Sequence, residues 1–434
     1  MSDKQKVYEY IDNHHDDIVN YLADMVKIPS INHDLDGSEK EVQEWLAGTL
    51  EEFGFDKVDK FAVDEKEERP NVVGVLKGSG DGNSLILNGH MDTVDIPEPE
   101  EWKYDPFGAE IHDGKMYGRG TSDMKSGVAS AVWAMKALKD CGIPLAGDVI
   151  LQAVIGEETQ QAEEFGTVKV VERGYDADFA IICEPTSLEV HTASAALFFF
   201  ELEVFGKDVH TSARNQVMFP QPYGVPSGPE VGVDALHKSL MFIDYFYRLE
   251  VEWSHRFRDP VIGGGGYPHR DTQGVGVFNI NPSKIEGGVY LGSVPPFVKM
   301  LYCVWYPDQM IKKEELFEEI RRGVEAIAST DSFLREHPPN SSIPVVQDWG
   351  GFQVPVDHPG VQALVKSVEE ATEKPAVISA FKAVCDGYYL NEAGIPAVVC
   401  GPGAVGHSVH GSNEFVVIED VIDAAKAYAS MIMN

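Results

Sequence analysis

Residues 72–76, 85–87, 149–155 and 179–182 are short, almost uninterrupted apolar runs, and stretches of helical periodicity lie around and between them. A strand that is apolar at nearly every position has no face left for water, so it belongs in a sheet covered on both sides. Ile18, Leu22, Met25 and Val26 recur at helical spacing until Pro29. Val42, Trp45, Leu46, Leu50 and Phe53 form a second stripe, closed by Gly54, and Val128, Val132 and Met135 mark a helix that starts near Lys125. Strands and helices in this alternation constrain the chain to an α/β fold on a mostly parallel sheet.

After about Thr192 the pattern changes. Residues 197–204 read as a long strand with Glu201 and Glu203 alternating outward. A loop rich in Pro, Gly and Gln, a helix over 233–253, a strand over 298–305 and a helix over 313–334 follow. These describe a small α+β unit with an antiparallel sheet. The glycines at 263–266 lack the Gly-Lys-Ser/Thr that completes a phosphate loop and read as a connector. From about His358 the first style resumes, with a helix over 361–371, a strand over 397–400 and a last helix from Glu419. The expected organisation is therefore a discontinuous α/β domain, 1–192 with 352–434, interrupted by an inserted α+β domain, 193–351.

Asp and Glu number 70 against 35 Lys and Arg, a formal charge of −35. Such a surface repels phosphate backbones and anionic lipid, so neither nucleic acid nor a membrane is an expected partner. The acids are spread along the whole chain, which makes most of them solvated surface. Five cysteines, at 141, 183, 303, 385 and 400, are odd in number and never CxxC; they read as buried hydrophobes in a reducing compartment. A polar start and the lack of any apolar run near the ~18 residues of a membrane span make the cytoplasm the expected location.

Five junctions carry the chemistry. Leu85-Ile-Leu-Asn-Gly-His90-Met-Asp92 ends an apolar strand in a His and an Asp. His90 can ligate a metal through one ring nitrogen while Asp92 takes the other N–H. Gly-Arg-Gly-Thr-Ser-Asp123 opens a helix; Asp123 is either an N-cap or a carboxylate bridging two cations. Val154-Ile-Gly-Glu157-Glu158 follows a buried strand, and its adjacent carboxylates point apart, so one can bind metal while the other moves a proton. Ile181-Ile-Cys-Glu184 repeats the arrangement. His407-Ser-Val-His410-Gly-Ser-Asn-Glu414 offers His410 as a ligand supported by Glu414, with His407 a bystander. Two His and three carboxylates without thiolate suit two zinc ions (or cobalt or manganese) in an open catalytic site, which is the donor set of a two-metal hydrolase.

Jointly and in order, over almost the whole chain, these motifs resemble the acetylornithine deacetylase, succinyl-diaminopimelate desuccinylase and aminoacylase family, which also contains glutamate carboxypeptidases and dipeptidases. The resemblance implies a two-zinc catalytic domain with an inserted dimerisation or lid domain, and hence a homodimer. It implies that His90 and Glu184 hold one metal, that Glu158 and His410 hold the other, and that Asp123 bridges them. Asp92 would orient His90, and Glu157 would be the general base. Val204-Phe-Gly-Lys-Asp-Val-His210-Thr-Ser is similar to the family segment whose histidine helps hold the substrate carbonyl in the partner's site.

Two departures concern the substrate. Gly292 stands where the family often has Asn, and Trp305 where an Arg commonly grips a substrate carboxylate. Losing a bidentate guanidinium is not a conservative change. Either Arg214 or Lys382 replaces that contact beside Trp305, or the substrate is bulkier, less acidic or differently anchored. The expected function is a metal-dependent amidohydrolase that removes an N-acyl group from an amino acid or related small amine. A metallo-dipeptidase or carboxypeptidase is the alternative within the same chemistry. A non-catalytic binding protein is the alternative of another class, disfavoured by the intact set of ligands and base.

Overall fold

The computed structural model describes residues 2–434 except 65, 67, 97–98, 260, 263–277 and 345–347, so the connector at 263–266 lies outside the described residues. The chain forms two compact units, one from Met1–Ser194 with Phe352–Asn434 and one within residues 195–351.

In the first unit, nine strands among the described residues make one mixed sheet. Its centre is parallel: Val149–Val154, Leu85–His90, Phe179–Ile182 and Ala397–Val399 lie side by side and point the same way. The flanks are antiparallel. Pro70–Leu76 pairs with Val149–Val154 and, through a short connection, with Lys57–Ala62. Val190–Ser194 closes the other side, antiparallel to Ala397–Val399 and Phe352–Gln353 and parallel to Ile378–Phe381. Every residue of Pro70–Leu76, Leu85–His90, Val149–Val154 and Phe179–Ile182 is buried, the two-sided cover that their apolar runs require.

The cover comes from helices that include His15–Lys27, Lys40–Glu52, Ser126–Asp140, Pro359–Thr372 and Ile418–Met433. Ser126–Asp140 is the most enclosed, and Gly127 lets it lie against the end of a central strand. A Cβ there would stand 2.0 Å from the Cys183 carbonyl oxygen. A separate three-stranded ribbon pairs Phe415–Val417 with Lys115–Tyr117 and Glu110–His112.

The second unit holds a four-stranded antiparallel sheet in the order Asn279–Gly287, Phe297–Tyr306, Ala196–Phe205, Asn340–Ser342. Phe297–Tyr306 alternates half-buried and buried residues, as a sheet covered on one face must. Phe198 and Phe200 are fully buried, Phe198 edge-on to Phe317 and Phe200 stacked on Tyr302 at 4.8 Å. Among the described residues no helix is long and apolar enough to cross a membrane.

Candidate active site

The parallel centre delivers its strand ends to one edge, the edge at which open α/β sheets build sites. His90 is the last residue of Leu85–His90, and its register partner is Val154, three residues before Glu157. Glu184 follows Ile182 on the neighbouring strand, and His410 lies in the loop beyond Ala397–Val399. Asp123 comes from the turn that opens Ser126–Asp140. It makes no capping bond to that helix; its φ of −119° and ψ of 95° are non-helical, and the Asp123–Met124 peptide is cis.

These residues converge. His90 Nε2 lies 3.1 Å from Asp123 Oδ1 and 3.4 Å from Glu184 Oε1. His410 Nε2 lies 3.3 Å from Asp123 Oδ2 and 2.9 Å from Glu158 Oε2. The two oxygens of Asp123 thus face different histidines. Glu157 stands further off, with Oε2 at 4.0 Å from His90 Nε2. Ligand atoms of His90, Asp123 and Glu158 lie within 4.8 Å of one another, as do those of His90, Glu157 and Glu184.

The cluster fits cations on two grounds. Two ligand atoms each about 2.0–2.1 Å from one tetrahedral ion lie roughly 3.3–3.4 Å apart, which is the scale of the His–carboxylate separations here. The donors are imidazole and carboxylate only, the set that zinc, cobalt and manganese accept.

The electrostatics report crowded negative charge. Burial alone would lower the His90 pKa, but Glu184 and Asp123 hold it well above the ordinary value. Hydrogen bonds to Asp123 and Glu158 push His410 up to about 11. Burial and the charge of Asp123 raise Glu184 to about 8 and also raise Glu158. Glu157 goes well above the usual carboxylate range, mainly through burial and also through Glu184, Asp386 and Glu158. Asp123 is lowered despite its burial, because both histidines donate to it.

Two supporting roles differ from expectation. The Asp92 carboxylate was expected on the second nitrogen of His90, yet His90 Nδ1 lies 2.9 Å from the Asp92 backbone oxygen and 3.7 Å from its Oδ1. The turn after the strand brings the main chain of the second residue nearer than its side chain. Asp92 Oδ2 instead accepts from the Glu158 backbone N–H at 3.1 Å and from Asn32 Nδ2 at 2.8 Å. Glu414 was expected to support His410, but its carboxylate turns to the other loop. It accepts from Arg119 Nη1 at 2.7 Å and from the backbone N–H groups of Gly120, Ser122 and Asp123 at 3.1, 2.8 and 3.1 Å. Burial raises its pKa, but all four contacts are donors, which only the ionised form satisfies.

Asn32 and Arg119 were given no role by the sequence: Asn32 lies far from the motifs, and Arg119, although inside the Asp123 motif, has its partner Glu414 nearly 300 residues away. His407 stays outside the cluster, stacked on Phe415 at 4.2 Å. Cys183 and Cys385 are buried, and burial pushes both thiols up, so neither suits a nucleophile. Lys382 is exposed just beyond Ile378–Phe381 in the first unit. His210, Arg214 and Trp305 belong to the second unit. His210 is exposed with Nδ1 2.9 Å from Ser212 Oγ, and Trp305 is half-buried in Phe297–Tyr306. Arg214 donates to Asp234, which caps Ala235–Arg256.

The family model described as "Peptidase family M20/M25/M40" matches residues 86–434. The chain is 34% identical to the N-formyl-4-amino-5-aminomethyl-2-methylpyrimidine deformylase of Bacillus subtilis over 91% of its own length and 88% of that protein's. It is 30% identical to the deformylase of the same name from Halalkalibacterium halodurans, over 99% of this chain and 96% of the relative. A probable succinyl-diaminopimelate desuccinylase of Staphylococcus epidermidis is 28% identical over 89% and 90%. Human carnosine dipeptidase 1 has the same fold, with a TM-score of 0.70 at 15% identity over 100% of this chain and 98% of that one. On the family match and the two deformylase relatives, the chain belongs to peptidase family M20/M25/M40 and is an amide-bond hydrolase.

Proposed function

We propose that the chain is a two-metal amidohydrolase that removes a short N-acyl group, formyl first among them, from a small amine that carries no α-carboxylate. The observation that carries the reading is the cluster itself: paired histidines and carboxylates shared through Asp123, with the Glu157 carboxylate standing apart from them. Trp305 in place of the family's carboxylate-gripping Arg supports an amine without that group, and so do the two deformylase relatives.

His90 and Glu184 would hold one ion, Glu158 and His410 the other, with Asp123 between them; zinc is the metal proposed. Bound there, the pair would supply the acidity that brings a water towards a pKa of about 7 and would polarise the amide carbonyl. Glu157, mostly enclosed and held above the usual carboxylate range, takes the proton of the attacking water as its oxygen bonds to the carbonyl carbon. It then returns that proton to the nitrogen as the C–N bond breaks, so the products are a carboxylic acid and a free amine. The second unit is proposed as a lid and dimerisation domain that brings His210 of one protomer to the carbonyl oxygen in its partner, in a cytoplasmic homodimer. Arg214 or Lys382 would meet polar groups of the amine and Trp305 its flat face.

The test is a panel of formyl, acetyl and succinyl amides against dipeptides, assayed with the ion content measured. Two ions per chain, chelator-sensitive turnover, and the highest kcat/KM on formamides of aminomethyl heteroaromatics are expected. Faster turnover of dipeptides, or no amide hydrolysis with both ions loaded, refutes the reading.

A further inference from the structure

Besides Glu158, the second half of the cluster draws on two segments about 290 residues apart in sequence, the turn at 120–123 and the loop at 404–414. Local structure in either segment says nothing about their mutual distance, yet Asp123 Oδ2 and His410 Nε2 are 3.3 Å apart. Something has to hold that separation. The ribbon begins the work: Phe415 pairs with Tyr117, so the residue before Phe415 arrives beside Gly118–Gly120, and Gly118 N–H donates to the Glu414 backbone oxygen at 3.0 Å. Gly120 takes φ 82°, a left-handed conformation that turns the chain so that successive N–H groups face inward.

Into this concavity the Glu414 carboxylate projects, fully buried. One oxygen takes the Ser122 and Asp123 N–H groups, the other Gly120 N–H and Arg119 Nη1. Arg119, itself 1% exposed, also donates through Nε and Nη2 to the Asp95 backbone oxygen. Ser122 and Ala404 add a stitch, exchanging hydrogen bonds of 3.3 and 3.2 Å through the Ser122 hydroxyl. The bond to Asp123 N–H is the decisive one, because it fixes the main chain of the residue whose two oxygens face both histidines.

We propose that Glu414 is a positioning residue for the metal centre: its carboxylate sets the distance between Asp123 and His410, and so the affinity of the ion those two share. This rests on the two-metal reading above. It also explains why the position is acidic although no side chain of the cluster touches it. A glutamine keeps one acceptor oxygen but turns an NH2 group towards N–H donors, so half of the bonds are lost at nearly constant volume.

The experiment titrates cobalt(II) into chelator-stripped protein and follows the visible absorption of the bound ion and the ion count per chain, alongside the melting temperature of the ion-free protein. The wild type should bind two ions. Glu414→Gln should weaken at least one of them by about 10–100-fold, the size usual for a lost supporting contact to a ligand. Arg119→Met, which leaves Glu414 its three backbone donors, should lower the melting temperature and keep affinity within a few-fold. The double variant removes the buried charge pair as a whole, so it should melt closer to the wild type than Glu414→Gln does and still bind weakly. It also serves as the readout if Glu414→Gln alone does not fold. Two ions bound at wild-type affinity by Glu414→Gln, or affinity restored together with stability in the double variant, overturns the proposal. A wild type that binds no cobalt overturns the two-metal reading instead.

Discussion

Neighbouring glutamates that follow one strand should fail in opposite ways. Glu157 makes no side-chain hydrogen bond among the described residues, and its Oε2 stands 4.0 Å from His90 Nε2. Glu157→Gln is isosteric and removes only a proton acceptor, so both ions should stay while turnover falls about 10²–10⁴-fold, the usual share of general acid–base catalysis. At about 1.36 kcal/mol per tenfold, that is roughly 2.7–5.4 kcal/mol of barrier. Glu158 differs: Oε2 lies 2.9 Å from His410 Nε2, and Oε1 accepts the Val94 N–H at 3.3 Å. Glu158→Gln takes one anionic donor from the half-site that also depends on His410 and Asp123. Its ion content should fall from two towards one per chain, with activity following the ion count. The assay is elemental analysis of gel-filtered protein beside kcat at saturating substrate. Equal ion loss in both variants, or a Glu157→Gln kcat within tenfold of the wild type, refutes the division of roles.

Two further predictions probe the frame. Gly127→Ala would put a methyl 2.0 Å from the Cys183 carbonyl oxygen, which is backbone and has little freedom to move. It should cost about 1–3 kcal/mol or more by overpacking and, because Cys183 adjoins Glu184, also weaken cobalt binding; an unchanged melting temperature refutes it. Arg173 donates to both oxygens of Asp59, at 2.9 and 3.2 Å, and holds that carboxyl below its ordinary value of 3.8. A folded pKa below the unfolded one gives stability that is present above about pH 4 and lost as pH falls through the folded value. Asp59→Asn should therefore melt lower than the wild type at pH 7, by about 1 kcal/mol at most for so exposed a partner, with the gap closing below pH 4. A gap that stays constant or widens on acidification refutes the assignment.

The fold was legible where burial dictates residue type. Central strands such as Leu85–His90 and Phe179–Ile182 are enclosed on both faces, so they are apolar apart from Asn88, which donates to Gln152 and Thr167, until the edge, where His90 and Glu184 break the run. The antiparallel flanks were not legible: Pro70–Leu76 is as buried as its parallel neighbours, and burial says nothing of strand direction. Backbone groups were the other blind spot. Asp92 was expected on His90 through its carboxylate, and the main-chain oxygen took that place; Glu414 was expected on His410, and it took three main-chain N–H groups near Asp123. Every residue except proline carries the same N–H and C=O, so no motif advertises which of them meets a given carboxylate.

The acidity of the chain sharpens the argument about the site. Most of the 70 acids remain in water, where a carboxylate costs nothing. Asp123, Glu157, Glu158 and Glu184 do not: their side chains are 12%, 15%, 4% and 5% exposed, at the end of a sheet centre whose strands are buried throughout. Desolvated carboxylates this close together persist only against compensating positive charge. Two protonated imidazoles supply half of what four carboxylates need, and protonation occupies the very nitrogens that face Asp123. Two divalent ions supply all of it and leave both imidazoles neutral. Charge balance therefore selects the same occupant as the distances do, and it predicts the order of events on chelation. When the ions leave, protons must enter, so ion removal near neutral pH should be accompanied by proton uptake by the protein, measurable in weakly buffered solution once the protons that the chelator releases on binding the same amount of free ion are subtracted. Removal of both ions without proton uptake would mean that the carboxylates tolerate one another unaided, and the electrostatic case for a two-metal centre would fail with it.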